Sequence, residues 1–188
     1  MPGRLLLALP LALLLACGGG SHPSPPPRAA RIVYTPPTSG TYQLLLNTEK
    51  STATHLVLDL MGPTGTAGRG VAFHLVAPPG QMTWAKVDSK DAELTQSPTF
   101  GVVAGSVLKA KATSGDLQVG AFLTWAFTPS VTFDRTVSLA TVALDLVPET
   151  APGAATLRST SGSAVMLPAT LGADPVPITI TAGTVTLQ

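Results

Sequence analysis

From residue 31 onward, apolar and polar positions alternate with a period of two rather than 3.6, which predicts strands rather than helices. Residues 32–35 form a short edge segment stopped by Pro36-Pro37, and residues 41–46 a strand. In residues 55–61, Leu56, Leu58 and Leu60 point one way and His55, Val57 and Asp59 the other. Gly62-Pro63-Thr64-Gly65-Thr66-Ala67-Gly68 reads as a loop. Residues 71–77 place Val71, Phe73 and Leu75 on one face and His74 on the opposite one; after Pro78-Pro79-Gly80, residues 82–87 continue as β around Trp84. Residues 88–97 are the most polar stretch. Residues 107–112 combine Val107 and Leu108 with exposed Lys109 and Lys111, and Ser114-Gly115-Asp116 turns the chain. Residues 117–127 are the longest strand candidate: Leu117, Val119, Ala121, Leu123, Trp125 and Phe127 share a face, which predicts a place in the centre of a sheet. Residues 138–147 put Val142, Leu144 and Leu146 inward; residues 154–159, 176–181 and 184–187 complete the pattern. About nine short strands at this spacing predict an all-β chain, an antiparallel two-sheet sandwich that buries the alternating apolar faces between its layers.

The first thirty residues follow another pattern. Met1 and Arg4 precede an apolar run from Leu5 to Leu15, broken by Pro10 and closed by Ala16. Some 12 helical residues reach roughly 18 Å, short of the roughly 30 Å of a hydrocarbon core. This is the plan of an export signal. Its last residues, Leu13-Leu14-Leu15-Ala16-Cys17, resemble the lipobox of bacterial lipoproteins, and Cys17 is the only cysteine. The resemblance implies removal of residues 1–16 and a diacylglycerol thioether on Cys17, with palmitate-type acylation of the new amine. Two or more acyl chains hold a protein on a membrane where one is marginal. Gly18 stands where Asp often marks inner-membrane retention, so the expected location is the bacterial cell envelope, at the outer membrane. Residues 17–30 then form a tether, flexible at Gly18-Gly19-Gly20-Ser21 and stiffer at Pro23-Ser24-Pro25-Pro26-Pro27. Residues 31–188 form the domain.

Charged residues are 11% of the chain, and without Arg4 ten Lys and Arg balance ten Asp and Glu. No basic stripe is present to release counterions from nucleic acid, so no nucleic-acid partner is expected. With Cys17 lipidated no disulfide can form, and the domain must hold by packing.

Three segments resemble cohesin-like domains, the nine-stranded jelly-roll sandwiches of cellulosome scaffolds and other exported bacterial proteins. One is Gly70-Val71-Ala72-Phe73-His74-Leu75-Val76 with Trp84-Ala85-Lys86-Val87. Another is Leu139-Ala140-Thr141-Val142-Ala143-Leu144-Asp145-Leu146, ending at Ala151-Pro152-Gly153. The third is Ile178-Thr179-Ile180-Thr181-Ala182-Gly183-Thr184-Val185-Thr186-Leu187, similar to a closing strand with a glycine turn. The chain departs from the family at the proline-interrupted residues 31–46, and reads Leu75-Val76 where cohesins often have Tyr-Asp. The resemblance implies a protein-binding or scaffold module, with an envelope protein as partner.

The chemistry-bearing residues are sparse. Asp88, Asp91 and Glu93 fall within six positions but lack an EF-hand's spacing and glycine, which fits a solvated loop. His55 and His74 lie opposite the apolar sets of their strands and read as surface histidines; no metal or cofactor is expected. There is no Gly-x-Ser-x-Gly elbow and no glycine loop that follows a strand and opens a helix, so no enzyme is expected. A hydrolase would have to place its site in residues 88–100. The aromatic residues leave an alternative, a carbohydrate-binding module for an envelope polysaccharide. It requires Trp84 or Phe122 exposed in a planar row. Trp125 and Phe127 share the apolar face of their strand, whereas Phe122 lies on the other face and is the better contact candidate.

Overall fold

The computed structural model describes residues 24–124 and 130–188, all of whose regular elements are strands. Residues 1–23, with the lipobox and Cys17, lie outside the described residues, as do Trp125 and Phe127. The strands, in order, are β1 (Ile32–Thr35), β2 (Tyr42–Leu46), β3 (His55–Met61), β4 (Ala67–Val76), β5 (Met82–Ala85), β6 (Thr95–Gln96), β7 (Ser106–Thr113) and β8 (Asp116–Leu123). They continue with β9 (Val131–Thr132), β10 (Ala140–Leu146), β11 (Gly153–Ala155), β12 (Arg158–Ser159), β13 (Val165–Pro168), β14 (Val176–Pro177), β15 (Ile180–Thr181) and β16 (Thr184–Leu187).

Two layers face each other. One runs β15-β2-β3-β10-β5, with β6 also on β10; the other runs β14-β13-β4-β8-β7, with β9 and β12 also on β4. A three-stranded set, β1-β16-β11, adds Ile32, Tyr34, Val185 and Leu187 to the same core. Between the layers Leu56, Leu58, Leu60, Phe73, Leu75, Leu117, Val142 and Leu144 are at most 2% exposed, so the period-2 faces do meet inside. Each such side chain contributes about 1.5–3 kcal/mol of transfer free energy. The expected all-β sandwich is the observed one.

The differences lie in length and continuity. The sixteen strands exceed the nine expected because several segments break where they change partners. Residues 154–159 divide at Thr156-Leu157, giving β11 to β16 and β12 to β4. The segment expected as one strand at 176–181 divides likewise: β14 joins β13 and β15 pairs β2 in parallel, while the strand expected at 184–187 is β16 and joins β1. That parallel pair departs from a wholly antiparallel sandwich. The break at Gly183 has a steric cause, since a Cβ there would lie 2.0 Å from the Thr35 carbonyl oxygen. The Gly183 amide donates to the Tyr34 hydroxyl, which itself donates to the Leu44 carbonyl at 2.8 Å. The supposed loop at 62–68 ends early: β4 begins at Ala67 because Ala67 and Gly68 pair with Thr132 and Val131. The long strand expected at 117–127 is described as β8 only to Leu123, and it sits between β4 and β7, interior to its sheet.

Register fixes two ends. At the near end β1 begins, with Arg31 against Gln188 and Ala29 against Thr150, beside the Ser114-Gly115 hairpin and the 78–81 turn. At the far end Phe100 and Phe133 from two loops meet edge to face, ring centroids 6.0 Å apart, and close the core.

Candidate functional site

Each layer has an outer surface, built by the residues that alternate with the core positions. The two surfaces differ. On the β3-β10 layer the outer positions are His55, Val57, Asp59, Thr141, Ala143 and Asp145. The chain covers much of this surface itself. Val57, Val87 and Ala143 form a second apolar cluster, with Val57 fully buried, and the Val57 amide donates to the Ser51 hydroxyl at 2.9 Å. Asp59 accepts from Asn47 at 2.8 Å and from Thr141 at 2.6 Å. Thr95 donates to the Thr141 carbonyl at 2.8 Å. His55 Nδ1 lies 2.6 Å from Asp145 Oδ1, tying β3 to β10. The polar stretch 88–97 folds back here: Asp91 accepts from Gln96 and from the Asp88 amide, and Lys50 donates to Gln96. Asp88 is held below the usual aspartate range, chiefly because the Lys90 amide donates to it.

Among the described residues, nothing of the chain folds over the outer surface of the β4-β8-β7 layer. Its ladder runs Gly70, Ala72 and His74 on β4 against Phe122, Gly120 and Gln118 on β8, and these against Val107, Lys109 and Lys111 on β7. Val165 and Leu167 of β13 extend it beside Ala72 and Gly70, and Arg158 of β12 lies opposite Val76. The floor is made of small residues. A Cβ on Gly70 would lie 2.3 Å from the Phe122 Cβ, so only glycine lets β4 and β8 approach so closely there. A Cβ on Gly120 would lie 3.4 Å from the Phe122 ring, which therefore lies down along its own strand. The surface divides in two. Towards the far end it is apolar, with Leu167, Gly70, Phe122 and Val107; towards the near end it is polar, with His74, Gln118, Lys111 and Arg158. A shallow groove of about 410 Å³ crosses the polar half between His74, Gln118, Lys109 and Lys111.

Glu93 is hydrogen-bonded to Lys109 and Ala110 of the groove's lining. Its carboxylate takes a hydrogen bond from Lys109 Nζ at 2.9 Å and one from the Ala110 amide at 3.2 Å, on the free edge of β7. The Lys109 contact, with help from the amide, holds Glu93 below the usual glutamate range.

The two aromatic candidates separate. Trp84 does not reach the surface: it is 8% exposed, and its indole N–H donates to the Gly115 carbonyl at 2.7 Å. Its position on β5 is an inward one, opposite Leu144, so it belongs to the core and forms no planar row with Phe122. Phe122 is half-buried on the open surface, the face expected for it. His74 lies on that surface too, whereas His55 is on the other layer. No group of three or more metal-ligating side chains occurs among the described residues. Sequence reasoning missed the glycine floor, and it left Glu93 in a solvated loop without its partners on β7. Isolated glycines inside strand patterns were the available signal for the floor; the Glu93–Lys109 pair, sixteen residues apart across a loop, left none.

No protein-family model and no curated protein sequence matches the chain. Solved structures do. The sixth cohesin of scaffoldin B from Acetivibrio cellulolyticus, crystallised in complex with a mutant Cel5 dockerin, superimposes with a TM-score of 0.54 at 18% identity, covering 80% of this chain and 100% of that one. A type II cohesin domain from the cellulosome of the same organism gives 0.51 at 10% identity, covering 78% and 94%. At these identities the likeness is one of fold, and the fold of this chain is cohesin-like.

Proposed function

We propose that this chain is a lipid-anchored envelope protein whose β-sandwich is a non-enzymatic protein-binding module, and that it binds through the open surface of the β4-β8-β7 layer. The observation that carries the reading is the contrast between the two outer surfaces. One is covered by the chain's own loops and satisfied by its own hydrogen bonds. The other presents a nearly flat, small-residue floor with an apolar half and a charged half, suited to a second protein. The likeness to a cohesin crystallised with a dockerin supports a protein partner. The lipobox-like sequence at Cys17 supports the anchor, with signal removal after Ala16 and residence at the outer membrane.

Site-specific photocrosslinking in envelopes tests the binding reading. A crosslinker at Gln118 is expected to capture one reproducible protein, which Phe122→Glu abolishes. One at Ser89, on the loop of the covered layer, is expected to capture none. Equal capture from both positions, or from neither, overturns it. The anchor is tested separately by labelling with an alkyne palmitate analogue: label is expected on the full chain and lost in Cys17→Ser. Label that persists in Cys17→Ser sinks the anchor.

A further inference from the structure

The charge on the open surface is one-sided. Lys109, Lys111 and Arg158 are exposed on it, while Asp116 is the only acidic residue in β4, β7, β8, β12 and β13. Asp116 turns its Oδ1 into the protein, where that atom is buried and has no hydrogen-bond partner. One carboxylate does reach the surface cations, and it comes from outside the sheet: Glu93, clasped by the Lys109 ammonium and the Ala110 amide. The molecule thus displays a carboxylate already docked there. It is held by a cation and an edge N–H, a pair of donors that charge-assisted hydrogen bonds favour. Lys111, one position further along the same face, and Arg158 have no such partner among the described residues. Beyond the cations lies the apolar half around Phe122 and Leu167.

Resting on the function proposed above, we infer that this surface selects a partner protein segment carrying carboxylates beside apolar side chains, and that Glu93 is a built-in competitor which the partner's carboxylate displaces from Lys109 and Ala110. The partner's apolar side chains rest on Phe122, Gly70 and Leu167 while its acids reach Lys111, Lys109 and Arg158. Charge complementarity of this kind sets specificity and association rate more than affinity. Glu93 adds a threshold: a neutral segment cannot exchange with it, and an acidic one can.

The test uses the full-length protein in detergent micelles and a synthetic amphipathic helical peptide. The peptide has a leucine stripe flanked by glutamates; a control peptide has glutamines in their place. Amide NMR of Ala110 reports Glu93 displacement, and fluorescence anisotropy reports affinity. The glutamate peptide is expected to shift the Ala110 amide and to bind more tightly than the glutamine peptide. Lys111→Glu is expected to weaken the glutamate peptide alone, by about two- to fivefold. Glu93→Gln is expected to strengthen it by a similar factor, and raised salt to erase the difference between peptides. Equal binding of the two peptides, or an Ala110 amide that stays put while the glutamate peptide binds, overturns the inference and leaves the protein-binding reading standing. An Ala110 shift with polygalacturonate and none with the peptide overturns it in favour of an acidic glycan. Binding of neither peptide overturns it as well, whereas failure of the Gln118 crosslink removes the function on which it rests. Lys111 faces solvent and Glu93 is partly exposed, and thermal melts of the variants check that they fold.

Discussion

Single side chains here are decided by what they can hydrogen-bond once buried. Trp84 and Phe122 are both large aromatics in strands, yet only Trp84 has an N–H that the Gly115 carbonyl can satisfy inside. Replacing it with alanine leaves a cavity and removes one of the two donors to the Gly115 carbonyl, which keeps the Ala77 amide, and is expected to cost about 3–5 kcal/mol in urea denaturation. Phe122→Ala, on the open surface, is expected to cost much less and to show its effect in binding. Tyr34 is the second such case. Burial pushes its hydroxyl above the usual tyrosine range, with the Gly183 amide pulling the other way. Tyr34→Phe keeps the ring but strands the Leu44 carbonyl and Gly183 amide, an expected loss of about 1–3 kcal/mol. Glu93 gives a pH signature of the opposite sense. Its carboxyl is held below its ordinary range, so its contribution is present above that range and lost as pH falls through the lowered value. The Ala110 amide shift is expected to titrate with that same midpoint, and a midpoint in the ordinary glutamate range contradicts the clasp. These roles were only partly legible in the sequence. Alternation put Trp84 on a strand, but no pattern told which of its faces would be covered.

Elements were legible where both neighbours of a strand were fixed by one apolar face. Leu56-Leu58-Leu60 and Val71-Phe73-Leu75 announce β3 and β4, and they lie where the alternation puts them. The pattern failed where a segment divides its pairing between layers, as at residues 154–159 and 176–181. Each piece alternates correctly, and the switch between them is a backbone event with no periodic trace. Val57 shows another limit: it sits on the polar side of its strand's pattern yet is fully buried, because the loop at Ser51 and the chain near Val87 fold over it. Gly70 carries the clearest prediction at this scale. Gly70→Ala forces β4 and β8 apart at Phe122, and the expected destabilisation of about 1–3 kcal/mol should come with lost amide protection on both strands. Gly80→Ala, at a turn with open space around the position, serves as the control.

At the scale of the whole molecule, the all-β sandwich was readable from composition and period, and the cohesin-like likeness from a few patterned segments. The contrast between a covered and an open layer was not, because it depends on loops whose polar sequences say nothing of where they lie. Direction along the molecule was hidden too, and it has a mechanical consequence. The chain enters at the near end and runs into β1, whose Ile32, Val33, Tyr34 and Thr35 pair in register with Leu187, Thr186, Val185 and Thr184 of β16. A pull on residues 24–30, with the open surface held by a bound partner, acts along the axis of β1. The ladder to β16 is then loaded in shear, all its hydrogen bonds sharing the force at once, rather than peeled one bond at a time from an end. Tyr34, bonded to Leu44 and Gly183, adds a side-chain catch in the same line. If the proposed anchor and partner pull against each other, this ladder carries the load, and in force spectroscopy Tyr34→Phe is expected to lower the rupture force more when the chain is pulled from residue 24 than from a loop at the far end.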